Sequence, residues 1–369
     1  MTFFHELWQF TDRFARLEFG EPLQVSHGGG LQTWRGAVLH YTADQDLLRV
    51  LRWFRNPESR VSAHLVVCDR KLGIHDEIAK GLPLVRALPV TVIQCRDPGH
   101  SAWHSRWAND TCYGIELVSA GMLRKNSEGA LCTWRPRDRQ SGIWTEPWAS
   151  SYKEPVKLCG QYWEPFTPGQ IRTTIETLRH LRNFGPQFAR LEPAWILGHE
   201  QVQHEKWDPG PTFPIHGVRS AVFSADPYRD QEWWTRYETD PLDGQAWRDL
   251  AVARVVREQA TSAETSRDPS VDVAWSRAWA AWSRLAEQPS HSQPRWLKLG
   301  LYVLGYAVTG YGDGDFSSQE LGDLDQESIR IFQRMAACAV DGIAGPQTCT
   351  ALVERLWERV GLGNGKAMA

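Results

Sequence analysis

Ala37-Val38-Leu39-His40-Tyr41, residues 37–41, is the stretch on which the reading of this chain turns. It is a short apolar run of strand type with a histidine near its end. Downstream, residues 45–54 read as a helix with Leu47, Leu48, Leu51 and Phe54 on one face. Further strands are predicted over Ala63 to Cys68, Val90 to Cys95, Tyr113 to Val118 and at Trp195-Ile196-Leu197. Between the last two, Thr167-Pro168-Gly169-Gln170 opens a helix, with Thr as N-cap, Pro at the first turn and Gln closing a capping box. Ile171, Ile175, Leu178 and Leu181 continue it at helical spacing. Strands alternating with helices predict an α/β fold, a mixed central sheet flanked by helices.

The flanks are less regular. Residues 1–35 hold an aromatic-rich helical opening (Phe3, Phe4, Leu7, Trp8, Phe10, Phe14) and a Gly28-Gly29-Gly30 turn. Residues 120–165 are irregular and rich in Trp, Pro and Gly; a loop that long is functional or hides an element. Past residue 220, Trp275, Trp279, Trp282 and Leu285 form a helical stripe read as core, after a polar stretch from Glu258 to Pro269. Pro289 and Pro294 precede a last unit with helical runs at Trp296–Leu304 and Ile329–Met335 and a turn at Asp341–Pro346. The expected division is a first domain at 1–217, a helical middle segment at 218–290 and a small three-helix domain at 291–362.

A chain of 369 residues has room for such a division. Its net charge of -3 gives no reason to expect nucleic acid or an anionic membrane as partner. Seven scattered cysteines without a C-x-x-C pair argue against a disulfide framework and a cysteine zinc site. The start carries no basic segment followed by an apolar core, so no signal peptide is expected. Leu299 to Val308 is too short to span a bilayer. The expectation is a protein made in the cytoplasm.

Three side chains would make a catalytic metal site: His40 ending a strand, His199 following one, and Asp208 before Pro-Gly. Two imidazoles and a carboxylate leave a coordination position for water, the pattern of hydrolytic rather than structural zinc. No short spacing ties them together, and His204 competes as a ligand. Glu116 sits in an otherwise apolar strand, where a carboxylate is costly unless paired or functional.

Residues 36 to 216 resemble the zinc amidase family of bacterial N-acetylmuramoyl-L-alanine amidases, phage lysozyme-type amidases and animal peptidoglycan recognition proteins. The blocks that carry the resemblance are Val38-Leu39-His40-Tyr41-Thr42, Ser62 to Val67, Ala102-Trp103-His104, Tyr113 to Val118, Phe166 to Gln170, and Gly198-His199 through Lys206-Trp207-Asp208-Pro209-Gly210-Pro211. The resemblance implies zinc held by His40, His199 and Asp208. It implies Glu116 as the acceptor of a proton from water and Lys206 as the cation stabilising a tetrahedral oxyanion. His64, Trp103 and His104 match residues flanking the substrate groove, His64 also as a packing residue. The implied reaction is hydrolysis of the amide between N-acetylmuramic acid and L-alanine, with peptidoglycan or muropeptides as partner.

The chain departs from the family pattern in three places. The segment 199–208 lacks the usual Pro-Gly-Arg and is one residue shorter, which bears on Lys206. Insertions lengthen residues 71–86 and 120–165; the second offers Trp134, Trp144, Trp148 and Trp163 as sugar-stacking faces. The last unit resembles the three-helix peptidoglycan-binding domain of cell-wall hydrolases, through Ile331-Phe332-Gln333-Arg334 and Val340 to Thr348. Alternatives to the amidase are a non-catalytic peptidoglycan-binding protein of the same fold and a zinc hydrolase of another amide. A phage endolysin released by a holin, a recycling enzyme and an exported effector all fit the sequence.

Overall fold

The computed structural model describes residues 2–23, 34–69, 91–136, 142–148, 154–158, 161–184, 191–227, 294–310, 318 and 320–361. The Gly28–Gly30 turn, the insertion at 71–86, the polar stretch 258–269 and the Trp275–Leu285 stripe lie outside them. Strands run as β1 (Gly36–Tyr41), β2 (Leu65–Cys68), β3 (Thr91–Gln94), β4 (Cys112–Leu117), β5 (Met122–Lys125), β6 (Leu131–Pro136), β7 (Gly142–Pro147), β8 (Val156–Leu158), β9 (Gln161–Trp163) and β10 (Ile196–Gly198). Helices are α1 (Thr2–Phe19), α2 (Leu47–Arg55), α3 (Pro168–Phe184), α4 (Ile215–Phe223), α5 (Pro294–Val303), α6 (Asp323–Met335) and α7 (Pro346–Gly361). Among the described residues no helix is long and apolar enough to cross a membrane.

The first sheet has the order β10-β1-β4-β2-β3. β1 is parallel to β10 and β4, β2 is parallel to β4, and β3 pairs antiparallel at the edge. This is the mixed sheet the alternation of elements predicts. The exposed edge of β3 is blunted by α1, whose Thr11 hydroxyl accepts the Gln94 N–H at 2.9 Å.

Period-two alternation divides the sheet into faces. Ala37, Leu39, Tyr113, Ile115, Leu117 and Ile196 face α3 and α4, meeting Ile171, Ile175, Leu178, Leu181, Ile215 and Val218. Reciprocal bonds between Thr167 and Gln170, both 3.1 Å, start α3 as the capping box requires. The opposite face has two covers. Val66, Cys68 and Ile93 pack against Phe10 and Phe14 of α1 and Leu51 and Phe54 of α2. Val38, Cys112 and Leu197 pack against Leu297, Leu301, Ile331, Phe332 and Leu352 of the C-terminal helices. His40 and Glu116 lie on this face toward the C-terminal ends of β1 and β4, beyond the stretch the helices cover.

Residues 120–165 do hide an element. Their described part is a second, antiparallel sheet of order β7-β6-β5-β9-β8. Its register is interrupted between Thr133 and Trp134, which hides the alternation from a sequence reading. Residue 217, where the first domain is expected to end, lies within α4, whose Ile215, Val218, Ala221 and Val222 join the core of the first sheet. In the C-terminal unit Gln333 staples the turn between α6 and α7. Its amide donates to Asp341, Ile343 and Thr348 and accepts from the Asp341 and Gly342 N–H groups. The Phe-Gln and Asp-Gly-Ile-Ala-Gly-Pro residues thus form one turn structure.

Candidate metal centre

His40 and Glu116 are register partners on adjacent parallel strands, so their side chains leave the same face side by side. His199 starts a short 3-10 turn directly after β10, on the other side of β1. Asp208 returns beside it through a loop closed by Glu200 N–H donating to the Asp208 carbonyl at 3.0 Å. A Cβ on Gly198 would come within 2.6 Å of the Pro209 ring, so only glycine allows this approach.

His40 Nδ1 and His199 Nδ1 lie 3.0 Å apart, and each is 2.9 Å from Asp208 Oδ2. All three residues are buried. Their other ring nitrogens are engaged elsewhere. His104 Nε2 lies 3.0 Å from the Cys112 carbonyl, which can only accept, so this nitrogen carries the proton. His104 Nδ1 is then an acceptor, approached by the Ser105 hydroxyl at 2.8 Å and by His40 Nε2 at 3.1 Å. His199 Nε2–H donates in the same way to Gln203 Oε1 at 3.3 Å. In the tautomers with the proton on Nε2, both imidazoles turn an unprotonated Nδ1 toward the Asp208 carboxylate, the form a metal ion requires.

Three acceptors facing one point without a proton between them repel one another unless a cation joins them. Tetrahedral zinc with nitrogen and oxygen ligands requires an edge of about 3.3 Å, which the observed triangle matches to a few tenths. The donor set fits such an ion. The ionisation states fit as well. Burial, then the charge on His199, pushes the His40 imidazole down to about 4. Burial works against the charge on Asp208, yet His199 and His40 together hold its carboxyl below the usual carboxylate range. Neutral imidazole and ionised carboxylate are the ligand forms.

Glu116 is pushed up to about 8, first by burial and then by the charge on Asp208, with Lys206 opposing. Its Oε2 is buried without a hydrogen-bond partner among the described residues. Glu116, Lys206, Trp103 and His104 line, with the three donors, a cleft of about 1010 Å³. Trp103 is 43% exposed at its rim. His104 reaches His40 because Gly114 leaves room; a Cβ there would lie 2.7 Å from the imidazole.

Other expected positions are corrected. His64 is fully buried, donates from Nε2 to the His100 carbonyl at 2.8 Å, accepts the Gly114 N–H at 2.8 Å and stacks on Tyr113. Both ring nitrogens are thus engaged and the ring is enclosed, the environment of a packing residue. His204 pairs with Glu358 of α7 at 3.1 Å, outside the donor triangle. Trp163 is buried and packs so tightly that a Cβ on Gly210 would lie 2.7 Å from its ring. It supports the Asp208 turn and offers no open face. Trp148 donates to Glu164 at 3.2 Å, while Trp134 and Trp144 line the cleft.

The hold of His104 on His40 and of Gln203 on His199 was beyond sequence reasoning, since each depends on ring orientation. So was the support of the ligand loop by the C-terminal unit. Tyr306 donates its hydroxyl to the Gln201 carbonyl at 3.0 Å, and Gln201 Nε2 donates to the Leu304 carbonyl at 3.2 Å. Fully buried Arg219 donates to the Ile196 carbonyl at 2.8 Å and to the Gly305 carbonyl. The Arg355 guanidinium lies 5.6 Å from the centre of the Trp207 ring.

Residues 30–211 match the profile of a family described as N-acetylmuramoyl-L-alanine amidase. No curated protein matches the chain in sequence. Similar solved structures include AMPDH3 from Pseudomonas aeruginosa in complex with anhydromuramic pentapeptide, at 18% identity over 89% of this chain and 92% of that one, TM-score 0.35. Another is the N-acetylmuramyl-L-alanine amidase AmiD from E. coli with anhydro-N-acetylmuramic acid-L-Ala-D-gamma-Glu-L-Lys, at 20% identity over 90% and 91%, TM-score 0.35.

Proposed function

From the match of residues 30–211 to the N-acetylmuramoyl-L-alanine amidase family, we propose that the chain hydrolyses the amide between N-acetylmuramic acid and L-alanine in peptidoglycan or muropeptides. The observation that carries this reading is the convergence of His40, His199 and Asp208 on one point, with Glu116 in register beside His40. Zinc bound by these donors supplies Lewis acidity and a water of lowered pKa.

The chain's own residues do the rest. His104 and Gln203 hold the two ligand imidazoles in the tautomer that presents Nδ1. Glu116, raised toward neutrality, takes the proton of the attacking water on its carboxylate and returns it to the departing alanine nitrogen. Lys206, on the cleft wall, offers its ammonium to the oxygen that gains charge, a contribution of about 3 kcal/mol for a well-placed donor. The walls around the buried donors exclude bulk water and strengthen these interactions.

A digest of purified peptidoglycan tests the reading. Intact glycan strands with new L-alanine amino termini are expected, and His199→Ala and Glu116→Gln should each abolish their release. His199→Ala should also lower the zinc content measured by elemental analysis, whereas Glu116→Gln should keep it. Binding of peptidoglycan by the wild type without release of peptide would replace the amidase with a non-catalytic binding protein. Retention of all three donors and of Glu116 favours the enzyme.

A further inference from the structure

The second sheet brings two tryptophans into the cleft. Trp134 of β6 and Trp144 of β7 are register partners on antiparallel strands, so their side chains stand on one face of the sheet. Both are partly exposed and both line the cleft that holds the metal donors. Met122 of β5 lines the same wall. The Arg124 guanidinium lies 4.8 Å from the centre of the Trp144 ring, a cation–π contact that restricts the indole. Their neighbour Trp163 is core and Trp148 is tied to Glu164, so among the described tryptophans of the insert these two are the ones that line the cleft.

We infer that Trp134 and Trp144 form a sugar-stacking platform that seats the glycan strand of the substrate beside the metal centre. The inference rests on the amidase reading and deepens it. A stem peptide beginning with L-alanine offers small and charged groups, poor matches for two adjacent indoles. A pyranose ring offers a face of C–H groups of about the size of an indole, bordered by hydroxyls. Apolar aromatic walls with a few polar groups are what orient such ligands. On this reading the platform gives the enzyme preference for muropeptides that still carry further sugars.

Two measurements test it. In the first, the full-length Glu116→Gln chain loaded with zinc is titrated calorimetrically with a peptide-free tetrasaccharide of alternating N-acetylglucosamine and N-acetylmuramic acid. Binding is expected, and adding Trp144→Ala or Trp134→Ala should weaken it by about tenfold. Phe in place of Trp144 should restore part of the affinity, which separates lost stacking from a damaged sheet. In the second, amide hydrolysis is compared on a muramyl peptide and on the same peptide carried by a tetrasaccharide. KM of the longer substrate should rise about tenfold in the Ala variants, with kcat changed less and the muramyl peptide affected less. Absence of tetrasaccharide binding, or an equal rise in KM for both substrates, overturns the platform. Failure of the wild type to release any peptide overturns the amidase instead, and leaves the calorimetric result to stand by itself.

Discussion

The insert sheet β5–β9 and the C-terminal helices α5–α7 both press on the same metal centre, and they do so by different means. The insert meets it with side chains: Met122, Trp134 and Trp144 face the cleft, and Trp163 wedges against Gly210 next to the Asp208 turn. The C-terminal unit meets it through the backbone, since Tyr306 grips the Gln201 carbonyl, and Leu304 and Gly305 offer carbonyls to Gln201 and Arg219. The contact to the Gln201 carbonyl holds the loop whatever side chain it carries there, while the contact to Leu304 needs the Gln201 amide itself. This explains how residues 199–208 can depart from the family's usual sequence and still deliver His199 and Asp208 to one point. On the amidase reading, the insert should therefore govern what the cleft binds, and the helices how firmly the three donors hold an ion.

The severest test of that division is Arg219→Met. It leaves carbonyls of β10 and of the C-terminal unit unsatisfied and should cost on the order of 3 kcal/mol in urea unfolding. If stability were unchanged, the seam between the two parts would be passive. His104 stands between the two roles, because it lines the cleft yet orients a ligand. His104→Ala is expected to weaken zinc binding by about 10- to 100-fold in chelator competition, and His104→Gln, which keeps an acceptor, to recover part of that loss.

A smaller effect is expected from Tyr306→Phe, which deletes one hydrogen bond far from substrate. Zinc affinity should fall about fivefold, equivalent to about 1 kcal/mol, with KM preserved. A change in KM without one in zinc affinity would reverse the roles assigned to the two regions. A test with a different readout concerns the proton on Glu116. Its folded pKa is raised, so in the metal-free chain it contributes stability that is present below about 4.5 and lost as pH rises through about 8. Glu116→Gln should remove this slope from urea midpoints measured between pH 5 and 9. Tyr306→Phe and Trp144→Ala should leave it intact, since neither region touches that carboxylate.

Much of the first sheet could be read from the sequence because local rules and global fold agree there. Ala37 to Tyr41 and Tyr113 to Val118 alternate faces, and Thr167 to Gln170 caps a helix in the standard way. The donors His40, His199 and Asp208 were legible through family resemblance, since their spacing by itself says little. The second sheet was not legible. Its strands are short, its register breaks at Trp134, and its tryptophans suit a strand, a core or a groove equally well. Even there a signal existed in Asn126 and Gly129. The Asn126 side chain accepts the Glu128 and Ala130 N–H groups and Gly129 takes a positive φ, turn chemistry between two strands. Burial decided the rest: His64 and Trp163 carry the residue types of a groove and are enclosed.

The chain of hydrogen bonds behind His40 ends on the Cys112 carbonyl and the Ser105 hydroxyl, groups that do not titrate in the physiological range. Had it ended on a carboxylate, the orientation of the ligand ring could follow the acidity of the medium. Anchored in a β-strand amide, it cannot. The imidazole keeps its lone pair aimed inward across the ordinary physiological range, and the vestibule stays ready for its ion while conditions outside vary.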